Sequence, residues 1–450
     1  MAVNITKENI DQFRSISCPT VHSITWLAGK LDADVLRCFP DLRKLTCFNN
    51  QLTTLEGLEG CPQLQWLNCS YNLIETLTGI ESCPNLRVLY CNDNLLVSLT
   101  GLECCPNLLK LGCAHNLLTS ITLLQPCSQV EQLKCYDNRL ASLAGLVSYP
   151  NLRELDCGYN QLVSIAGIEN CRLLINFGCH SNQITSLAGI ENCRYLLELR
   201  CDGNQLVSLT GLENCVRINK LNCSNNKLES LCAFATGSSL RELYCRCNQL
   251  TTLHGLENCQ ELRVLNSGAN RLQTLDGLGP CSKLSELYCR GNAITSISNL
   301  SIYPILHKLD CSDNILETLE GIEGSLDLQS LYCSNNRLTS LAPISTHTRL
   351  WTLVCDGNLL QFLIGLEHSS RLRKLVCSNN RLATLTGIEN CVKLKELDCK
   401  GNMLVTLDRI ERCTGLARLD CSNNQLVSIE PTVGLNQLTE LVYEGNNIQS

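Results

Sequence analysis

The segment LRELYCRCNQLTTLHGLENC, residues 240–259, sets Cys245, Cys247 and Cys259 among evenly spaced leucines. Three cysteines in so short a span suit a metal site, a disulfide framework or a redox centre, and equally suit side chains that only fill space. The rest of the chain decides between these. The same pattern returns every 22 residues from Leu42 onward without insertion or deletion, led by Leu42, Leu64, Leu86, Leu108, Val130 and so on to Leu438. This makes eighteen full units and a truncated nineteenth, with consensus L-x-x-L-x-C-x-x-N-x-L-x-x-L-x-G-L-E-x-C-x-x. A short fixed period marks a solenoid, in which no unit buries its own apolar face and each relies on its neighbours.

Numbering each unit from its leading residue, position 4 is Leu in every unit except for Phe177, and position 9 is Asn in all nineteen. The apolar residues at positions 1, 4 and 6 end in alternation, which predicts a short strand with positions 4 and 6 inward and 3, 5 and 7 outward. The later aliphatics at positions 11, 14 and 17 step by three, as in tight 3₁₀ or irregular turns.

The motif L-x-x-L-x-C-x-x-N-x-L over residues 42–450 resembles the leucine-rich repeat. Its 22-residue length is similar to the class typified by the regulatory subunit of protein phosphatase-1 and to bacterial internalins. The cysteine-rich G-[LI]-E-x-C ending resembles arrays encoded by large amoeba-infecting DNA viruses. The resemblance implies an α/β-type solenoid, a right-handed superhelix with one curved parallel β-sheet on its concave face and short 3₁₀ or irregular turns on its convex face.

Residues 1–41 break the register and are expected to cap the array: residues 4–16 carry apolar side chains at helical spacing, and residues 24–40 read as a degenerate half-unit with Leu36 in the place of position 17. The array itself is expected over residues 42–450. Its last unit stops at Ser450 with Tyr443 in the usual cysteine place, so this end is either self-capping or covered by a partner or a second copy, end to end.

Of 33 cysteines, 17 stand at position 6 and 11 at position 20, leaving Cys18, Cys38, Cys104, Cys232 and Cys247 off pattern. Equivalent places in stacked units lie ~4.8 Å apart with parallel Cα–Cβ vectors, whereas a disulfide needs converging Cβ atoms and zinc needs four convergent ligands. Cys223, Cys245 and Cys289 therefore read as an inner structural ladder, with no metal and no cofactor, and Ser267 substitutes within it. Asn226, Asn248 and Asn270 read as a second ladder that bonds backbone where the chain leaves the strand. Glu at position 18, present in eleven units, reads as a solvated edge that adds nothing to folding.

Function is expected on the exposed positions 3, 5, 7, 8 and 10, which carry sixteen basic and sixteen acidic residues, a mixed surface unlike a phosphate-binding stripe. With a net charge of −7, no basic run and no long apolar stretch, neither nucleic acid nor membrane is expected as a partner. Aromatics make up only 4% of the chain, yet Trp66, Tyr90, Tyr136, Tyr159, Tyr244, Tyr288 and Tyr332, together with Phe48 and Tyr71, fall on these places. Such residues are anchors for a protein partner. The seven histidines are scattered and no phosphate loop, H-E-x-x-H or nucleophile elbow occurs, so no catalytic residue is assigned. The resulting expectation is a non-enzymatic scaffold that binds a protein through its concave face. A phosphatase-regulatory or other substrate-adaptor role is the alternative that the resemblance implies. Without a signal-peptide pattern, the chain is expected in the cytoplasm with its thiols reduced, in the host cytoplasm if viral.

Overall fold

A computed structural model of the chain describes residues 2–14, 17–123, 127–234 and 239–448. They fall into two compact units, Met1–Asn226 and Lys227–Ser450.

In the first unit, β1 (Ala2–Thr6) pairs in parallel with β2 (Ser23–Leu27), and β2 pairs with β3 (Lys44–Thr46). From β3 onward, three-residue strands recur in strict register, Lys44 beside Trp66, Trp66 beside Val88, and so on to Lys220–Asn222. In the second unit the same parallel ladder runs from Glu242–Tyr244 to Glu440–Val442. Each strand covers positions 3 to 5. Position 4 points inward, as at Leu243 and Leu287, both fully buried.

Two devices turn the chain after each strand. Position 8 adopts a left-handed backbone in both units, at Tyr71, His115, Asp137, Tyr159, Cys247 and Asp313 among others, with φ between 49° and 58°. The Asn at position 9 then ties the turn to its neighbours. Asn226 Nδ2 donates to the carbonyls of Cys201, Cys223 and Ser224, and its Oδ1 accepts the Leu206 N–H at 2.9 Å. Asn270 makes the equivalent bonds to Cys245, Ser267, Gly268 and Leu250. These bonds satisfy backbone groups that the turn takes out of water, where each unpaired group would cost about 1–3 kcal/mol.

The return path is a short 3₁₀ turn in many repeats, for example Leu58–Gly60 and Leu212–Asn214. Here the structure corrects the reading of the position-18 glutamates. In all ten repeats that carry both Gly at position 16 and Glu at position 18, the carboxylate accepts the glycine N–H at 2.6–2.8 Å. The glutamate is thus a capping group of its own turn. The glycine sits at φ near +100°, as at Gly211 (+103°), a conformation that a side chain would oppose.

The N-terminal segment also differs from expectation. Residues 15–16 of the expected 4–16 segment lie outside the described residues, and residues 4–14 do not form the helix expected there: Ala2–Thr6 is a strand, and Ile10–Phe13 makes a single 3₁₀ turn. Ile5, Ile24 and Trp26 are fully buried, so an extended segment lays its apolar residues onto the same core that the repeats share. The α-helix of this region is short, Ala33–Leu36, and starts at Asp32, whose carboxylate accepts the N–H groups of Asp34 and Val35.

Candidate protein-binding surface

Strand geometry presents positions 3 and 5 on one face of each sheet, and the expected aromatics at these places fall into packed groups. Trp66 and Tyr90 meet edge to face with ring centroids 5.9 Å apart, and Lys44 Nζ stands 4.2 Å over the Trp66 ring. In the second unit Tyr244, Tyr288 and Tyr332 occupy position 5 on alternate strands, with Asn266 and Asp310 between them. Lys308 Nζ reaches both Tyr288 (5.1 Å) and Tyr332 (6.0 Å). The Tyr244 hydroxyl donates to Glu242 at 3.2 Å, and the Tyr288 hydroxyl donates to Glu286. Partial burial and the neighbouring Glu242 carboxylate push the Tyr244 phenol up to about 12, so it remains a hydrogen-bond donor at neutral pH.

Tyr136 and Tyr159 stand past the strand, at positions 7 and 8, and each meets a histidine edge to face. His115 and Tyr136 meet at 5.1 Å and 85°, and Tyr159 and His180 repeat the same geometry. His115 Nδ1 lies 2.6 Å from Asp137, and the buried His180 faces Asp156 at 3.6 Å. Gly158 makes room for His180, since a Cβ there would fall 2.4 Å from the imidazole. Two of the seven histidines, His115 and His180, therefore belong to the aromatic surface. The missed signal is an offset of 21: position 8 of one repeat touches position 7 of the next. Phe48 and Tyr71 are exposed, at 42% and 61%.

A recess of about 440 Å³ opens on the sheet face of the second unit. Arg246 and Arg290 flank it, with Asn266, Tyr288, Asp310 and Asp313 also lining it. Arg290 is held by Asp313 at 2.6 Å.

Cys223, Cys245 and Cys289 are fully buried, and all 33 cysteines are free thiols. Burial pushes the thiols of Cys245 and Cys289 up to about 12, the opposite of what a nucleophile or metal ligand requires. Several ladder thiols donate to the carbonyl of the next strand, as Cys91 does to Gly112 at 3.3 Å. Position 20 is also a donor place: Cys215 bonds the Ile190 carbonyl, and where Tyr149, Tyr303, Ser325 or His347 replaces the cysteine, its polar atom likewise reaches a carbonyl of the preceding repeat. Among the described residues no three His, Cys, Asp or Glu side chains are grouped to hold a metal ion. Likewise, among the described residues no helix is long and apolar enough to cross a membrane.

Residues 40–82, 62–104 and 370–411 match the family model for leucine-rich repeats. Among solved structures, the chain is similar to YopM from Yersinia enterocolitica, at 25% identity and a TM-score of 0.72 over 96% of this chain and 84% of that one. It is also similar to the plant peptide hormone receptor RGFR1 in complex with RGF2, at 22% identity and a TM-score of 0.76 over 99% of this chain and 78% of that one. The functional domain of InlJ from Listeria monocytogenes, described as including a cysteine ladder, matches at 22% identity and a TM-score of 0.52, covering 91% and 74% of the two chains. No curated protein sequence matches this one.

Proposed function

Taking as premise that the chain is built of leucine-rich repeats in the solenoid fold, we propose that it is a non-enzymatic scaffold that binds a protein partner through the exposed face of its sheets. Proteins with such repeats generally serve as interaction scaffolds, and RGFR1 was solved with a bound peptide partner. The observation that carries the reading is the packed aromatic surface, above all Tyr244, Tyr288 and Tyr332 around Lys308. Neighbouring carboxylates hold the first two hydroxyls, so these rings lose little freedom on binding and offer large amphipathic faces to a partner. Trp66 with Tyr90, and Tyr136 and Tyr159 with their histidines, extend the surface in the first unit. The wealth of free thiols supports a reducing, cytoplasmic setting.

An affinity pull-down with the full chain tests this. The expected result is one stoichiometric protein that binds directly after purification and is lost from a Tyr244→Ala, Tyr288→Ala, Tyr332→Ala variant that still unfolds cooperatively. Recovery of a phosphatase would support a regulatory-subunit role, and turnover by the purified chain would refute the scaffold reading.

A further inference from the structure

A second surface lies on the flank of the first unit, where the chain enters each strand. Positions 22 and 2 sit on either side of the buried leading residue. They are polar in the repeats that border this region, as Asn151 and Arg153 before it and Arg217 and Asn219 after it. Between them, two consecutive repeats carry Leu173 with Ile175 and Tyr195 with Leu197. These four side chains line a groove of about 300 Å³, together with Arg153 and Arg217. Leu173 is 36% exposed and Tyr195 is 50% exposed, so the fold itself does not account for their apolar character.

The surrounding charge is as uneven as the hydrophobicity. Arg153 and Arg217 line the groove itself, and the exposed Arg172 and Arg194 immediately precede Leu173 and Tyr195 in sequence, a concentration of arginine on a chain of net charge −7. Arg153 has a long contact with Glu131, at 3.9 Å. Arg217 lies over the Tyr195 ring at 5.7 Å, which fixes one wall. The backbone here is already satisfied: Ile175 N–H donates to Arg153 O and Leu197 N–H to Ile175 O, both at 2.8 Å. An occupant therefore binds through side chains and does not add a strand.

We propose that this groove docks an acidic peptide segment of a partner protein, with apolar side chains of the segment on Leu173, Ile175, Tyr195 and Leu197 and its carboxylates on the four arginines. Charge complementarity selects this occupant. A second copy meeting the first groove to groove would bring the lining Arg153 and Arg217 of both copies together, which like-charge repulsion opposes. A flat membrane surface would not reach the small recessed floor, which suits a few side chains better than a bilayer.

Selection of a random short-peptide phage library on the full chain, followed by fluorescence anisotropy with the selected peptide, tests the proposal. The expected consensus places Leu, Phe or Ile among Asp and Glu, with affinity falling as salt rises. Binding should weaken by about tenfold or more in both Leu173→Ser/Tyr195→Ser and Arg172→Glu/Arg194→Glu. It should survive in Arg172→Lys/Arg194→Lys and in the Tyr244→Ala, Tyr288→Ala, Tyr332→Ala variant. The altered side chains are exposed, so circular dichroism should show an unchanged fold. Several results would overturn the proposal: no consensus, a basic consensus, or binding indifferent to both groove variants. So would phosphatidylserine-vesicle binding, or a dimer in sedimentation, that depends on these same residues.

Discussion

The Glu213 carboxylate accepts the backbone N–H of Gly211 at 2.7 Å, closing the turn Leu212–Asn214 that the two residues share. Because ten repeats use this pair, one substitution removes one cap of many. Glu213→Ala should cost about 0.5–1 kcal/mol, the lower part of the range for helix-capping residues because the site is exposed. Glu213→Gln, which keeps an acceptor, should cost less. Urea titration reads both, and a Glu213→Ala chain as stable as the parent would remove the capping role.

Asn248 accepts the Leu228 N–H at 2.9 Å and donates to the carbonyls of Cys245 and Arg246. Asn248→Leu orphans these groups while adding only apolar bulk, so a loss of about 1–3 kcal/mol is expected. The loss should appear with faster amide exchange at Leu228. Unchanged exchange there would contradict the assigned bond.

Arg409 stands where glycine stands in the capped repeats, and holds φ +85°. Glu411 follows at position 18 but has a side-chain-bearing residue before its turn. Arg409→Gly should raise stability by about 0.5–1 kcal/mol, the relief of a strained backbone exceeding the entropy that glycine adds to the unfolded chain. A lower thermal midpoint for this variant would mean that the Arg409 side chain, 3.8 Å from Glu389, contributes more than the strain costs.

The buried thiols make the fold sensitive to alkali. Cys245 and Cys289 ionise near 12 when folded, against an ordinary value of 9.0. A thiol raised in this way stabilises the folded state fully below pH 9 and loses that contribution as pH climbs toward 12. Each thiol forfeits up to about 1.4 kcal/mol per pH unit in that window. With 28 thiols buried, cooperative unfolding is expected early in it, well before any single folded thiol ionises. Circular dichroism against pH checks this, and a signal flat from pH 8 to 11 would contradict it.

Thiol reactivity should divide the cysteines along the same line. Cys104 and Cys232 are exposed, and Cys18, Cys38 and Cys247 partly so, while the other 28 are buried. Alkylation of the native chain followed by peptide mapping should modify only members of the first group, Cys247 among them, and leave Cys245 and Cys259 protected. Rapid native labelling of Cys245 would show that the inner ladder is open.

Residues 240–259 illustrate how far the sequence reaches. Position 6 was legible as interior and position 9 as a backbone anchor, because a 22-residue period without gaps puts every equivalent side chain in the same environment. A one-residue slip in a strand would turn Leu243 outward and Cys245 with it, so the register admits a single solution. The N-terminal strand was not legible, because Ala2–Thr6 lies outside the period and owes its extended form to the β2 strand beside it. The position-18 glutamates looked like plain surface charge, since a carboxylate that bonds a glycine N–H two residues earlier leaves no mark in hydropathy.

Repetition by itself therefore determined the solenoid, its inner ladders and the positions free to bind. Tertiary structure alone decided which free positions act together. The pairs His115–Tyr136 and Tyr159–His180, the span of Lys308 across two tyrosines, and the arginine-edged groove around Tyr195 all join side chains from different repeats. The left-handed turn at position 8 and the parallel stacking of neighbouring strands set the directions in which those side chains meet. These directions belong to the folded backbone, which the spacing of residues along the chain does not encode.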